Sequence, residues 1–129
     1  MIVLDASAAA EMTLQTEVGA EVARRLRGHN LHAPGHFDVE VVGVIRRAVQ
    51  RGLLSDRDGL IALADFRSIR VERWAVNALI ARAYDLRATH SVADAVYVTL
   101  AEALDAPLVT CDGRLSRSHG HRVAIEFVG

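Results

Sequence analysis

Short apolar runs alternate with longer segments of helical periodicity along all 129 residues, and this alternation constrains the fold more than any other feature. Strands that are separated by helices usually run parallel, because only a helical crossover returns the chain to the same end of the sheet. The pattern therefore predicts an α/β fold with parallel strands.

Half of the residues are hydrophobic (51%), enough for one core, and no linker, repeat or low-complexity stretch divides the chain. We therefore expect a single domain over residues 1–129. Strands are expected at residues 2–4, 31–33, 69–72, 108–110 and 123–128. Helices are expected at residues 6–13, 37–51, 92–105 and 113–118, after the capping residues Thr16 and Ser55, and in one long segment that buries Val76, Leu79, Ile80, Ala83 and Tyr84.

All basic residues of the chain are arginines, 15 in number, and lysine is absent. This excludes P-loop nucleotide hydrolases, Schiff-base enzymes and ordinary phospho-acceptor receiver domains, because each needs a lysine. The net charge of −1 argues against a broad basic surface, although a local one remains compatible with it. The single cysteine, Cys111, and an apolar opening too short for a signal peptide lead us to expect a cytoplasmic protein.

Two carboxylates follow apolar strands directly. Asp5 comes after Ile-Val-Leu, and Asp112 comes just after Leu-Val-Thr. The carboxyl ends of parallel strands lie on one rim of the sheet, where sites of open α/β folds form. The order of the elements therefore predicts that Asp5 and Asp112 lie on the same rim.

Two further acids occupy apolar helical segments, Glu40 in FDVEVVGVI and Asp94 in SVADAVYVTLAEAL. Each has an ordinary alternative: Asp94 fits a capping box with Ser91, and Glu40 fits an exposed charge with Arg47 two turns on. Asp112 fits a turn residue before Gly113 in the same way. Glu102 is expected among exposed helical positions.

If the four carboxylates converge, their mutual repulsion is most simply relieved by a divalent metal ion. Mg²⁺ and Mn²⁺ prefer oxygen ligands, and such an ion admits a phosphodiester to an acidic cleft and activates water. Spacing alone leaves the convergence open, since the acids stand far apart along the chain.

Three pieces of the sequence resemble PIN-domain ribonucleases, in particular the VapC-type toxins of bacterial toxin–antitoxin pairs. They are MIVLDAS at the start, Glu40 on a helix that continues to Arg46 and Arg47, and the unit DAVYVTLAEALDAPLVTCDGRL. The resemblance spans essentially the whole chain. It implies a three-layer α/β/α fold around a central parallel sheet of four to five strands.

The resemblance also implies metal-dependent endonucleolytic hydrolysis of RNA by a metal-activated water, with Mg²⁺ or alternatively Mn²⁺ as cofactor. By position, the metal-binding and catalytic set would be Asp5, Glu40, Asp94 and Asp112, with Ser7 and Thr110 as supporting hydroxyls. The partners implied are RNA, a cognate VapB-type antitoxin and a second copy of the chain, and no membrane.

Other functions fit the sequence less well. A housekeeping RNA-processing nuclease would share the fold and the acids, but the compact length favours the toxin. A phosphatase of the haloacid-dehalogenase type would need a second acid where Ser7 stands, and a lysine. Cys111 lacks the pattern of a nucleophile, and the His119-Gly-His121 motif lacks a third metal ligand.

Overall fold

A computed structural model describes the whole chain, Met1–Gly129. Its five strands are β1 (Ile2–Leu4), β2 (Leu31–Pro34), β3 (Glu72–Trp74), β4 (Leu108–Thr110) and β5 (Ile125–Phe127). Its seven helices are α1 (Ala6–Thr13), α2 (Glu17–Leu26), α3 (Phe37–Gln50), α4 (Asp56–Ser68), α5 (Ile80–Asp85), α6 (Val92–Leu104) and α7 (Gly113–Ser116), and a 3₁₀ turn (Val76–Leu79) precedes α5.

All five strands are parallel and lie in the order β3-β2-β1-β4-β5, which confirms the predicted fold class. The central strand β1 is fully buried, and its Val3 pairs with His32 of β2 and Leu108 of β4. Two groups of helices flank the sheet: α1 to α4 pack on one another, and α6 packs on α5 and on the central strands. None of the helices combines the length and the hydrophobicity that a membrane span requires.

Local capping sets the starts of three helices as expected. The side chains of Thr16, Ser55 and Ser91 each accept a hydrogen bond from a backbone amide of the first helical turn. Gly19 permits the close packing of α2 on α1, because a Cβ there would lie 2.1 Å from the carbonyl oxygen of Glu11.

Two predicted elements are wrong in detail. The third strand covers Glu72–Trp74 rather than residues 69–72, because the chain leaves α4 at Ser68 and pairs with β2 only from Glu72 onward. The long helix is a 3₁₀ turn followed by the short α5, in which Ile80 and Tyr84 are 41% and 59% exposed. In a helix of only six residues, the spacing of apolar residues does not determine which side chains face the core.

Candidate active site

The carboxyl ends of β1 and β4 meet at one rim of the sheet, as the order of elements predicts. A cleft of about 490 Å³ opens there, and it is bordered by one face of α3 and by the first turn of α6. Its lining includes all four predicted acids, each from a different element: Asp5, Glu40, Asp94 and Asp112. The structure therefore brings together the carboxylates that the chain separates by up to 107 residues.

Asp5 is the most buried of the four acids, with 6% of its surface exposed. Its Oδ2 accepts hydrogen bonds from the hydroxyls of Ser7 and Thr110, at 2.5 and 2.8 Å. Burial raises the pKa of Asp5, the two hydroxyls act in the opposite direction, and the charges of Asp94 and Glu40 raise it further. Both hydroxyls contact the same oxygen, so Oδ1 has no protein donor and remains for a ligand in the cleft.

The two supporting hydroxyls form a small network around Asp5. Ser7 Oγ lies 3.2 Å from Thr110 Oγ1 and accepts from the backbone amide of Cys111. Thr110 Oγ1 accepts from the amide of Asp112, which links the Asp5 side chain to the loop that carries Asp112. The network holds the Asp5 carboxylate in one orientation, because both donors are themselves held by backbone groups.

Glu40 is oriented by a tyrosine that the sequence motif contained without an assigned role. Tyr97, 1% exposed on α6, donates a hydrogen bond of 2.7 Å to Oε1 of Glu40 on α3. Burial raises the pKa of Tyr97, and so does the hydrogen bond to Glu40, so its hydroxyl stays protonated. His36 Nε2 lies 3.3 Å from the same carboxylate. Glu40 forms no hydrogen bond or ion pair with Arg47, so the structure does not show the pair that would explain Glu40 as an ordinary surface charge.

Arg114 bridges two of the acids. Its Nη2 lies 2.7 Å from Asp94 Oδ2 and 3.2 Å from Asp112 Oδ2. The Asp94 amide donates to the Ser91 cap, but the Asp94 carboxylate turns to Arg114, so the capping box is only half formed. Asp112 Oδ1 accepts from the amides of Arg114 and Leu115 and thereby also caps α7, as the turn interpretation expected.

The cleft carries an excess of negative charge. When all four carboxylates are ionised, Arg47 and Arg114 offset at most two of their charges, so at least two negative charges remain uncompensated. No three His, Cys, Asp or Glu side chains meet at metal-ligand distances, and Arg114 holds two of the four acids, Asp94 and Asp112. The four carboxylates offer oxygen donors of the kind that a hard divalent cation prefers.

Neither Cys111 nor the His119-Gly-His121 motif lines the acidic cleft. Burial raises the pKa of the Cys111 thiol to about 11, which is the opposite of an activated nucleophile. His121 hydrogen-bonds with Ser118 and accepts from the amide of Val123, within the loop before β5.

Arg47 lines the cleft seven residues after Glu40, so helical spacing alone could have placed it there. Tyr97 and Arg114 are different. Their contacts join residues 57 and 20 positions apart, and nothing in the spacing signals them.

Comparison with known proteins identifies the family of the chain. A family model for the PIN domain matches residues 2–119. Ribonuclease VapC12 of Mycobacterium tuberculosis is 60% identical over 128 residues, which cover 99% of each chain. Ribonuclease VapC9 of the same organism is 41% identical over 116 residues, which cover 90% of this chain and 89% of that one. The chain therefore belongs to the PIN-domain family, in which it groups with the VapC ribonucleases.

Solved structures show the same fold at low sequence identity. VapC20 of M. tuberculosis, a toxin that cleaves the sarcin-ricin loop, matches with a TM-score of 0.67 and 18% identity over 90% of this chain and 93% of that one. VapBC2 of Rickettsia felis, solved with a DNA fragment of its promoter, matches with a TM-score of 0.69 and 15% identity over the whole of both chains.

Proposed function

We propose that the chain is a divalent-cation-dependent endoribonuclease and the toxin of a VapBC-type pair. The observation that carries this proposal is the meeting of four carboxylates from four elements in one cleft at the carboxyl rim of the sheet. Membership in the VapC group of PIN domains, with 60% identity to a named ribonuclease along the whole chain, supports the same activity.

In this proposal Asp5, Glu40, Asp94 and Asp112 hold the cation, with Mg²⁺ as the expected ion and Mn²⁺ as an alternative. Mg²⁺ is commonly bound by a few carboxylates together with waters and substrate phosphate, and the cleft offers such ligands. When bound, a divalent cation activates a water and stabilises the negative charge that develops on the phosphate during in-line displacement.

The protein's own contribution is to orient the ligands before substrate arrives. Ser7 and Thr110 fix Asp5 through its Oδ2, and Tyr97 fixes Glu40 through its Oε1. Such outer contacts keep ligand oxygens in a productive geometry at little cost during the reaction. Arg47, on the cleft wall, supplies positive charge for the phosphate backbone.

RNA and a cognate VapB-type antitoxin are the proposed partners. The Rickettsia felis relative was solved as a VapBC complex, which supports an antitoxin for this chain by likeness of fold and family. The expected homodimer stays a prediction. A haloacid-dehalogenase-type phosphatase gains no support, because Ser7 donates to Asp5 from the position where that class needs an acid.

The test is cleavage of a mixed-sequence RNA by the purified chain with Mg²⁺ or Mn²⁺. We expect activity that chelator abolishes and that Asp5→Asn, a change of nearly equal shape, reduces to background. Asp65→Asn is the matched control, since Asp65 is exposed on α4, away from the cleft. Undiminished cleavage in chelator or by Asp5→Asn would contradict the proposal.

A further inference from the structure

A second polar pocket, of about 310 Å³, lies beside the acidic cleft. The α5–α6 connection lines one side, and α7 with the following loop lines the other. Its polar lining consists of two arginines, two histidines and two hydroxyl residues: Thr89, His90, Arg114, Arg117, Ser118 and His119. No lining residue carries a carboxylate, so the pocket is cationic whereas the cleft is anionic.

Arg114 joins the pocket to the cleft. It lines the pocket, and its guanidinium contacts Asp94 and Asp112 on the other side. The side chain is 67% exposed, so it can exchange partners at small cost. If a cation takes the two carboxylates, Arg114 loses its partners beside this pocket.

Arg117 is an exposed arginine in the wall of this pocket, and its guanidinium makes no ion pair or hydrogen bond with the protein. The side chain folds back over Gly113, where a Cβ would lie 2.9 Å from its Nη1. Gly113 follows Asp112, so the absence of a side chain there leaves room for the Arg117 guanidinium over the backbone next to Asp112.

The pocket wall also holds an unsatisfied buried group. His90 is 7% exposed, and its Nε2 is buried without a hydrogen-bond partner. Such groups are rare in folded proteins, and here the His90 ring packs edge-on against His121 behind the pocket wall.

We propose that this pocket binds a backbone phosphate of single-stranded RNA next to the phosphate held in the cleft, with Arg117 as its main contact. This inference rests on the proposed function, because it assigns a further part of the same substrate. Arginine suits a phosphate through its planar set of donors, which can form two parallel hydrogen bonds to its oxygens. Contacts of this kind position a strand without reading its sequence.

The test measures RNA binding separately from cleavage. Fluorescence anisotropy of a short labelled single-stranded RNA is recorded in chelator, over a range of salt, for wild type, Arg117→Gln and Arg117→Lys. We expect Arg117→Gln to weaken binding roughly fivefold to tenfold and to lower the slope of log affinity against log salt by about 0.7, the contribution of one single-strand phosphate. Arg117→Lys keeps the charge and should keep most of the slope.

Arg67→Gln is the matched control. It removes the same charge from an exposed residue that lies five positions before β3, toward the amino ends of the strands and away from the site. We expect it to bind RNA as wild type does. In cleavage assays with Mg²⁺, Arg117→Gln should raise KM more than it lowers kcat.

Wild-type RNA affinity and salt slope in Arg117→Gln would overturn the proposal, as would an equal loss in Arg67→Gln. If the pocket binds a protein partner instead of RNA, Arg117→Gln should bind RNA with wild-type affinity and salt slope. If binding depends on Arg117 but the wild type cleaves no RNA with Mg²⁺ or Mn²⁺, the proposed function fails while the phosphate site stands.

Discussion

The hydroxyl of Thr110 donates a hydrogen bond of 2.8 Å to Oδ2 of Asp5 and thereby ties together the ends of two neighbouring strands. Thr110 is fully buried and also accepts from the amide of Asp112. One hydroxyl therefore connects two of the four acids, and its removal tests how far the cleft depends on orientation.

We expect Thr110→Val to lower both Mn²⁺ affinity and the rate of RNA cleavage by about tenfold, the usual order for loss of an outer contact to a metal ligand. Isothermal titration calorimetry without RNA measures the first quantity. Thr99→Val is the matched control, because Thr99 is also buried but its hydroxyl has no partner. Equal Mn²⁺ affinity in wild type and Thr110→Val would show that Ser7 alone orients Asp5.

Tyr97→Phe removes only the hydroxyl that orients Glu40. We expect cation affinity and cleavage to fall by about tenfold, and the free energy of unfolding to fall by about 1 kcal/mol, since one hydrogen bond is lost and water can replace it at the partly exposed Glu40. Tyr84→Phe makes the same change at an exposed tyrosine under Arg87 and should leave cation affinity and cleavage unchanged. Equal cation affinities and equal cleavage rates in Tyr97→Phe and Tyr84→Phe would contradict this role of Tyr97.

Glu102 should make stability depend on pH. Its side chain is 4% exposed and receives Arg82 at 2.9 Å and Arg122 at 3.7 Å, and the Arg82 hydrogen bond lowers its pKa. A lowered pKa stabilises the fold above the unfolded value, about 4.3, and this contribution is lost as the pH falls through the lower folded value.

We therefore expect Glu102→Gln to reduce the free energy of unfolding by about 1–3 kcal/mol at pH 7 and the difference from wild type to shrink below about pH 4. Urea denaturation at a series of pH values measures both. Glu21→Gln, at an exposed position of α2, should have almost no effect. A deficit that stays constant down to low pH would point to lost packing rather than lost charge.

Arg114 should compete with the cation for Asp94 and Asp112. We expect Arg114→Gln to raise Mn²⁺ affinity about twofold to fivefold, because the guanidinium is exposed and ion pairs of such groups are weak. Calorimetry without RNA reports this directly, and Arg67→Gln corrects for the change in net charge. Lower Mn²⁺ affinity in Arg114→Gln would mean that Arg114 supports the ligands instead of competing for them.

Some features of the site could be predicted because they follow from order along the chain. Asp5 and Asp112 lie on one rim because β1 and β4 are parallel neighbours, and helix caps at Thr16, Ser55 and Ser91 are local. The burial of Glu102 and its two ion pairs could not be predicted. We expected it to be exposed, but α5 and the loop before β5 cover it and supply its two arginines.

By itself, the sequence determined the parallel α/β fold and placed the two strand-end acids on one rim, because periodicity and parallel pairing depend on neighbours along the chain. Its motifs marked Glu40 and Asp94 by resemblance. Only the tertiary structure decided that Tyr97 holds Glu40, that Arg114 bridges Asp94 and Asp112, and that Arg117 stays unpaired over Gly113. These contacts join side chains of different elements, and their partners are set by how helices pack, which no spacing along the chain encodes.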